Sequence, residues 1–180
     1  MSKRQLSYFS SFSFRFVSLF YRIRGARIGR FCRISPFSII VNCAHRAFSI
    51  ADNVRISPFV FIDPGCGSIV IGSNCSINPC CVIYGHGGLT IGDYVRIAAG
   101  TVIIPANHRF DDLDRPISRQ GLHLKGIQID DNVWIGSGCR ILDGVHIASG
   151  CVVGSGSVVT KSLPRNSVAV GVPARVIRYR

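Results

Sequence analysis

The chain has 180 residues, 47% of them apolar, which suits a single domain with a substantial core and excludes a disordered or low-complexity protein. All nine acidic residues are Asp, set against 21 Lys and Arg, so the formal charge of +12 calls for an anionic partner: a phosphorylated cofactor, an acidic lipid surface or nucleic acid. No RNA-recognition motif, zinc-finger spacing or helix-turn-helix pattern is present, and no nucleic acid is expected.

Residues 1–27 are basic and carry Lys3, Arg4, Arg15, Arg22, Arg24 and Arg27 before the first carboxylate of the chain, Asp52. Phe9, Phe16, Phe20 and Ile23 share one side of a helical wheel, with Arg4, Ser11, Arg15, Ser18 and Arg22 on the other, so the segment is expected to be an amphipathic helix. Arg15 and several serines interrupt its apolar character and no small-residue cleavage site follows, which argues against a signal peptide or a spanning helix. Two roles remain open: a cap over the end of a repeat scaffold, or peripheral contact with an anionic membrane at its cytoplasmic face.

From Ile28 a period of six takes over. Ile28, Ile34, Ile40; Ile50, Ile56, Ile62; Ile71, Ile77, Ile83; Ile91, Ile97, Ile103; Ile129, Ile135, Ile141; and Ile147, Val153, Val159 form six triplets. Neither a helix nor an alternating sheet selects that period, whereas short strands joined by tight turns do. Triplets begin 22, 21, 20, 38 and 18 residues apart, so every insertion leaves from one corner of a three-sided prism, and the large one is a loop over 109–128. Gly29, Gly72, Gly92, Gly136 and Gly154 follow anchors, where a turn with positive φ is expected. The organisation expected is an N-terminal segment 1–27, an all-β solenoid over 28–164 with one protruding loop, and a tail over 165–180.

Six of eight cysteines (Cys32, Cys66, Cys75, Cys81, Cys139, Cys151) lie four residues after an anchor, a slot elsewhere filled by Val, Thr or Ser, and are expected to be core thiols. Without paired CxxC motifs, a sulfur-held metal is not expected, and so many unpaired thiols suit a reducing cytoplasm. His108 stands where the repeat is interrupted, at the end of Ile91 to His108, and a lone titratable group there marks the candidate site. Counted by coil, His45, Gly67, Gly88, His108, His146 and Pro164 take the last place, and a column is expected in which Gly67 and Gly88 leave room for an acceptor.

The repeats, the run NVWIGSGCRILDGVHIASGCVVGSGSVVTKSLP and the ending GVPARVI resemble the hexapeptide-repeat acyltransferases, and within them the sugar and maltose-type O-acetyltransferases of exopolysaccharide biosynthesis. The resemblance covers 28–180 and implies a left-handed parallel β-helix, a homotrimer with sites between subunits, acetyl-CoA as acyl donor and a saccharide hydroxyl as acceptor. It also implies His108, in PANHRFDD, as general base, since neutral imidazole has suitable basicity near pH 7. Carried over residue by residue, Trp134 borders the donor cleft, Ser137 offers a backbone amide near the thioester, and Ser155, Thr160, Lys161, Arg175 and Arg178 contact the donor. The acceptor-binding Asn of the maltose and galactoside enzymes aligns with Cys80, close to Asn78, while Asp111 and Asp112 of the loop could meet sugar hydroxyls. Other acceptors within the same chemistry are a serine or a xenobiotic. From different classes, a zinc-dependent β-helical carbonic anhydrase is weakened by the separation of His86, His108 and His123, and a non-catalytic repeat protein would fail to bind CoA.

Overall fold

The structure, a computed structural model, describes residues 16–41 and 47–180. Phe9, Arg4, Ser11, Arg15 and His45 therefore lie outside the described residues. The chain from Arg27 winds as a parallel β-helix whose strands fall into three sheets, one per prism face. The first face holds Arg27–Ile28, Phe48–Ile50, Ile69–Ile71, Leu89–Ile91, Ile127–Ile129 and His146–Ile147. The second holds Arg33–Ile34, Arg55–Ile56, Ser76–Ile77, Arg96–Ile97, Trp134–Ile135 and Val152–Val153, and the third runs from Ile39–Ile40 to Val158–Val159. An antiparallel hairpin of Ser167–Gly171 and Ala174–Tyr179 extends the second face at its C-terminal end.

The six-residue period sets the register. Ile91 pairs with Ile129 and Ile97 with Ile135, so the ladder passes the long insertion without slipping. All eighteen anchors are buried, none more than 8% exposed, and each such side chain contributes roughly 1.5–3 kcal/mol of apolar burial. The first face buries a second residue two before its anchor, in Phe48, Ile69, Leu89 and Ile127, a set the period of six does not reveal.

Two local expectations are corrected. The glycines after the anchors do not have positive φ; the left-handed residues come three after the anchor, as at Asn74, Asn132, Cys80 and Gly138. Glycine after the anchor is instead a matter of space: a Cβ on Gly136 would lie 2.6 Å from the Ser155 amide nitrogen of the next coil. Among the expected core thiols, Cys75, Cys81, Cys139 and Cys151 are buried and Cys32 is half-buried, but Cys66 is exposed, because the three residues inserted in its coil swell that corner. The slot also has a polar use. Cys75 donates to Gly92 O at 3.1 Å, Cys81 to Ala98 O at 3.1 Å, Cys139 to Gly154 O at 3.2 Å and Thr101 to Gly136 O at 2.9 Å. Burial pushes the Cys32, Cys75, Cys81 and Cys139 thiols above their ordinary pKa.

A helix over residues 16–23 covers the open end of the solenoid with a different face from the one expected. Val17 and Tyr21 pack on the core, whereas Phe16, Phe20 and Ile23 are exposed. The Tyr21 hydroxyl accepts from Ile40 N at 3.2 Å, and the Arg22 guanidinium donates to Ile28 O at 2.6 Å and Gly29 O at 3.0 Å, so a cation satisfies carbonyls at the first coil's open edge. No described helix is long and apolar enough to cross a membrane.

Because the anchors carry the ladder, Ile135→Ala is expected to cost about 2–5 kcal/mol of unfolding free energy in a urea melt. Thr90→Ala, outward on the first face, should stay within about 0.5 kcal/mol of the parent.

Candidate functional site

The corner between the third and first faces carries the insertion. Asn107–His108 leaves it as a short strand paired antiparallel with Leu122–His123, so His108 stands at the base of a stalk opposite Leu122. Its side chain is exposed. The loop beyond is braced from within: the Gln120 side chain donates to Asp112 O at 2.7 Å and Arg115 O at 2.8 Å, and accepts from Asp112 N at 3.1 Å. Its return is clamped by the Asp143 carboxylate, which accepts from Lys125 N and Gly126 N at 3.0 and 2.9 Å. Asn107, His123, Lys125, Asp143 and Thr160 line a cleft of about 280 Å³ at this corner.

The edge between the second and third faces holds a different set. Trp134 stands outward on the second face, 56% exposed, and Ser137 and Ser155 occupy successive coils with their hydroxyls 3.2 Å apart. Next to them Gly138 and Gly156 would meet nothing within 4 Å if given a Cβ, and Gly100 only one atom at 4.0 Å. Glycine is not dictated by backbone conformation here, since Phe59 and Cys80 take the same corner place at φ of 61° and 60°. Leaving the side chain out keeps a strip of backbone open along the edge. The Gly136 and Gly138 amides bond to neighbouring coils at Val153 O and Ala99 O, and the Ser137 N–H between them stands outside that ladder. A long thin ligand with its own amides fits such a strip.

The residues singled out in the sequence therefore fall into two groups on one chain. His108, Gly88, Asp111, Asp112, Thr160 and Lys161 belong to the third-to-first corner or the loop leaving it. Trp134, Ser137, Ser155, Asn78 and Cys80 belong to the second face and its far edge, with the third face lying between. Asn78 spends its amide on Ile97 O at 2.8 Å, while Cys80 is exposed. Arg175 and Arg178 lie on the final strand, and the row Trp134, Val152, Val168, Arg178 puts Arg178 about 14 Å along the second face from the indole.

The expected column at the insertion corner does not form. His146 pairs with Gln128 on the first face, because coils must be counted from their first anchor once residues have been inserted. Gly88 is open as expected and borders a groove of about 350 Å³ with Gln128 and His146, but a Cβ on Gly67 would collide with Gly85 O at 2.2 Å. His146 Nε2 lies 3.0 Å from the Asp130 carboxylate, a pair that sequence reasoning missed. Partial desolvation raises the Asp130 pKa, but hydrogen bonds from Gln128 and His146 together hold it below the ordinary carboxylate value. Among the described residues no three His, Cys or Asp side chains gather so as to hold a metal ion.

Comparison with known proteins supplies a context for these two groups. Residues 126–161 match the bacterial transferase hexapeptide model of six repeats. The galactoside O-acetyltransferase of Escherichia coli is 37% identical over 131 residues, which are 72% of this chain and 63% of that protein. This chain spans a little under two thirds of the length of that relative and of a putative acetyltransferase of Saccharomyces cerevisiae that is 41% identical over 131 residues. Among solved structures, the N-acyltransferase AntD of Bacillus cereus, in complex with dTDP and 3-hydroxybutyryl-CoA, superposes with a TM-score of 0.81 at 28% identity, over 93% of this chain and 90% of that one. A hexapeptide-repeat acetyltransferase of Vibrio cholerae complexed with acetyl coenzyme A gives 0.62 at 26% identity, over 90% and 75%. The solenoid here is of the same left-handed kind.

The bracing of the loop yields its own test. Gln120→Ala removes three internal hydrogen bonds from an exposed segment, so trypsin should cut after Arg119 severalfold faster while the melting temperature is unchanged.

Proposed function

We infer from the repeats and these similarities that this chain is a hexapeptide-repeat transferase, and on that premise we propose that it is an acetyl-CoA-dependent O-acetyltransferase acting on a hydroxyl of a sugar or saccharide precursor. The observation that carries the reading is the side-chain-free strip at Gly100, Gly138 and Gly156, bordered by Trp134 and the two serines. The pantetheine arm of the donor lies along that strip, its thioester end at the Ser137 amide and its phosphates toward Arg175 and Arg178, with Lys161 approaching from the loop corner of a neighbouring copy.

The chemistry asked of the chain is modest. The acceptor oxygen attacks the thioester carbonyl carbon while His108 takes the hydroxyl proton, the Ser137 N–H steadies the charge gathering on the carbonyl oxygen, and the carbon–sulfur bond breaks. The imidazolium then returns the proton to the departing sulfur. Transfer is direct, in a ternary complex. The buried thiols, raised in pKa and committed to carbonyls of the neighbouring coil, are poor nucleophiles.

Since the base and the donor strip stand on different edges of one solenoid, the working site is assembled between copies, as a homotrimer whose loop corner meets the donor edge of a neighbour. Asp111, Asp112, Gly88 and Cys80 border the acceptor in that arrangement. The cytoplasmic membrane face suits the exposed Phe16, Leu19, Phe20 and Ile23 of the N-terminal helix.

The direct experiment is mass spectrometry of products from acetyl-CoA and a panel of free, nucleotide-linked and lipid-linked saccharides, with serine and chloramphenicol-like alcohols as competitors. His108→Ala should fold normally and lose about 10²–10⁴ in kcat. Gly138→Asn keeps a residue type that this chain already uses at φ near 60°, so it should melt as the parent does. It should also raise the KM for acetyl-CoA by about tenfold or more, the equivalent of roughly 1.4 kcal/mol.

A further inference from the structure

On the second face, N-terminal to Trp134, the outward row reads Arg33, Arg55, Ser76, Arg96, each hydrogen-bonded strand setting one directly beside the next. Adjacent strands are about 4.8 Å apart, so three guanidinium groups are carried along roughly 14 Å of one face. Like charges placed opposite one another in a ladder oppose folding, and among the described residues no carboxylate is paired with Arg33, Arg55 or Arg96. The acids three residues before Arg55 and Arg96 are committed elsewhere: Asp52 to Arg30 at 2.9 Å and Asp93 to the Ser73 amide at 2.6 Å.

Ser76 is the exception in the row, and it is the informative residue. Its side chain points outward yet is only 3% exposed, and its Oγ has no hydrogen-bond partner. A buried hydroxyl left unpaired costs about 1–3 kcal/mol, and alanine would fill the place without that cost. Ser76 lines a groove of about 270 Å³ together with Phe31, Arg33, Arg55, Asn74 and Arg96, its hydroxyl buried just beneath the surface. Arg96 is held in position by a hydrogen bond to Asn74 O. A donor hydroxyl flanked by planar, forked cations is the donor set of a phosphoryl site. Pockets that enclose a whole drug-sized ligand run to roughly 300–1,000 Å³, so this groove takes the charged end of a ligand and leaves the remainder outside.

We propose that the groove between Arg33, Arg55, Ser76 and Arg96 binds the phosphoryl group of the acceptor, which makes the preferred acceptor a phosphorylated or nucleotide-linked saccharide. The assignment rests on the acetyl-transfer reading and adds a substrate class to it. Ser76 lies two strands, about 10 Å, before Trp134 in the same outward row, so an anion held there leaves its saccharide pointing along the face toward the donor strip.

The test separates binding from turnover. Inorganic pyrophosphate is titrated calorimetrically into the parent, Ser76→Ala and Arg55→Gln, with thermal melts of each protein. Ser76→Ala and Arg55→Gln should each weaken pyrophosphate binding tenfold or more while melting at the parent temperature or above it. A merely structural hydroxyl would give the opposite sign in the melt. With acetyl-CoA as donor, both variants should raise the KM for a phosphorylated or nucleotide-linked acceptor and leave the KM for acetyl-CoA and for an unphosphorylated sugar unchanged. A raised KM for acetyl-CoA alone would give the anion to the donor and overturn the acceptor assignment. Unchanged pyrophosphate binding, or a loss of oligomer in light scattering without a loss of binding, would overturn the site itself. Pyrophosphate binding requires no turnover, so a failure of the acetyl-transfer reading, seen as the absence of acetylated product from every acceptor, is distinguishable from a failure of this one.

Discussion

Stacking of one aliphatic anchor on the next is the constraint under which everything else in this molecule is arranged. Each coil satisfies most of its strand backbone groups on the coils above and below, as in Ala98 N to Ile135 O at 2.9 Å and Gly136 N to Val153 O at 2.8 Å. A one-residue slip would turn the buried Ile and Val outward, so register is fixed by burial and insertions are tolerated only where the ladder can be rejoined. The twenty inserted residues leave the corner as a separate stalk, and Ile91 still meets Ile129.

That constraint makes the outside of the prism a regular lattice on which function is placed by position alone. A residue before an anchor stands on a face, as Trp134 and the three arginines do; a residue two or three beyond it stands on an edge, as Ser137 and Gly138 do. Because one chain winds a single prism, groups on two different edges cannot approach each other by any local adjustment. The proposed chemistry needs both the imidazole at the loop corner and the open strip at the far edge, and it would therefore draw them from different copies and tie catalysis to assembly.

The solenoid was legible because the anchors are spaced by covalent counting, and eighteen consecutive matches to a period of six leave no competing periodicity. What the count could not show was anything depending on neighbours across coils. The glycines after the anchors were expected to serve a turn, but they answer to the backbone of the next coil; the thiol slot looked apolar, but its S–H and O–H groups reach carbonyls one coil away. The His108 and His146 column failed for a related reason, since inserted residues change a position counted from the end of a coil but not its hydrogen-bonded partner. The helix over 16–23 shows the limit of a wheel drawn without a destination: Val17 and Tyr21 met the core because the first coil offered Ser38 and Ile40 to the tyrosine hydroxyl. The arginine row was invisible because its members are about twenty residues apart and become neighbours only through the parallel register.

The claim on which the account turns is that one copy supplies the imidazole and another the donor strip. Co-expression of two differently tagged chains, one carrying His108→Ala and the other Gly138→Asn, tests it by activity of the mixed oligomers at acetyl-CoA far below KM, where each variant alone retains about a tenth of parental turnover or less. Sites built from an intact corner and an intact strip of different chains should restore about a quarter of parental turnover on random mixing. No recovery in mixed oligomers of confirmed composition would mean that both groups act from the same chain, and the shared site would be wrong.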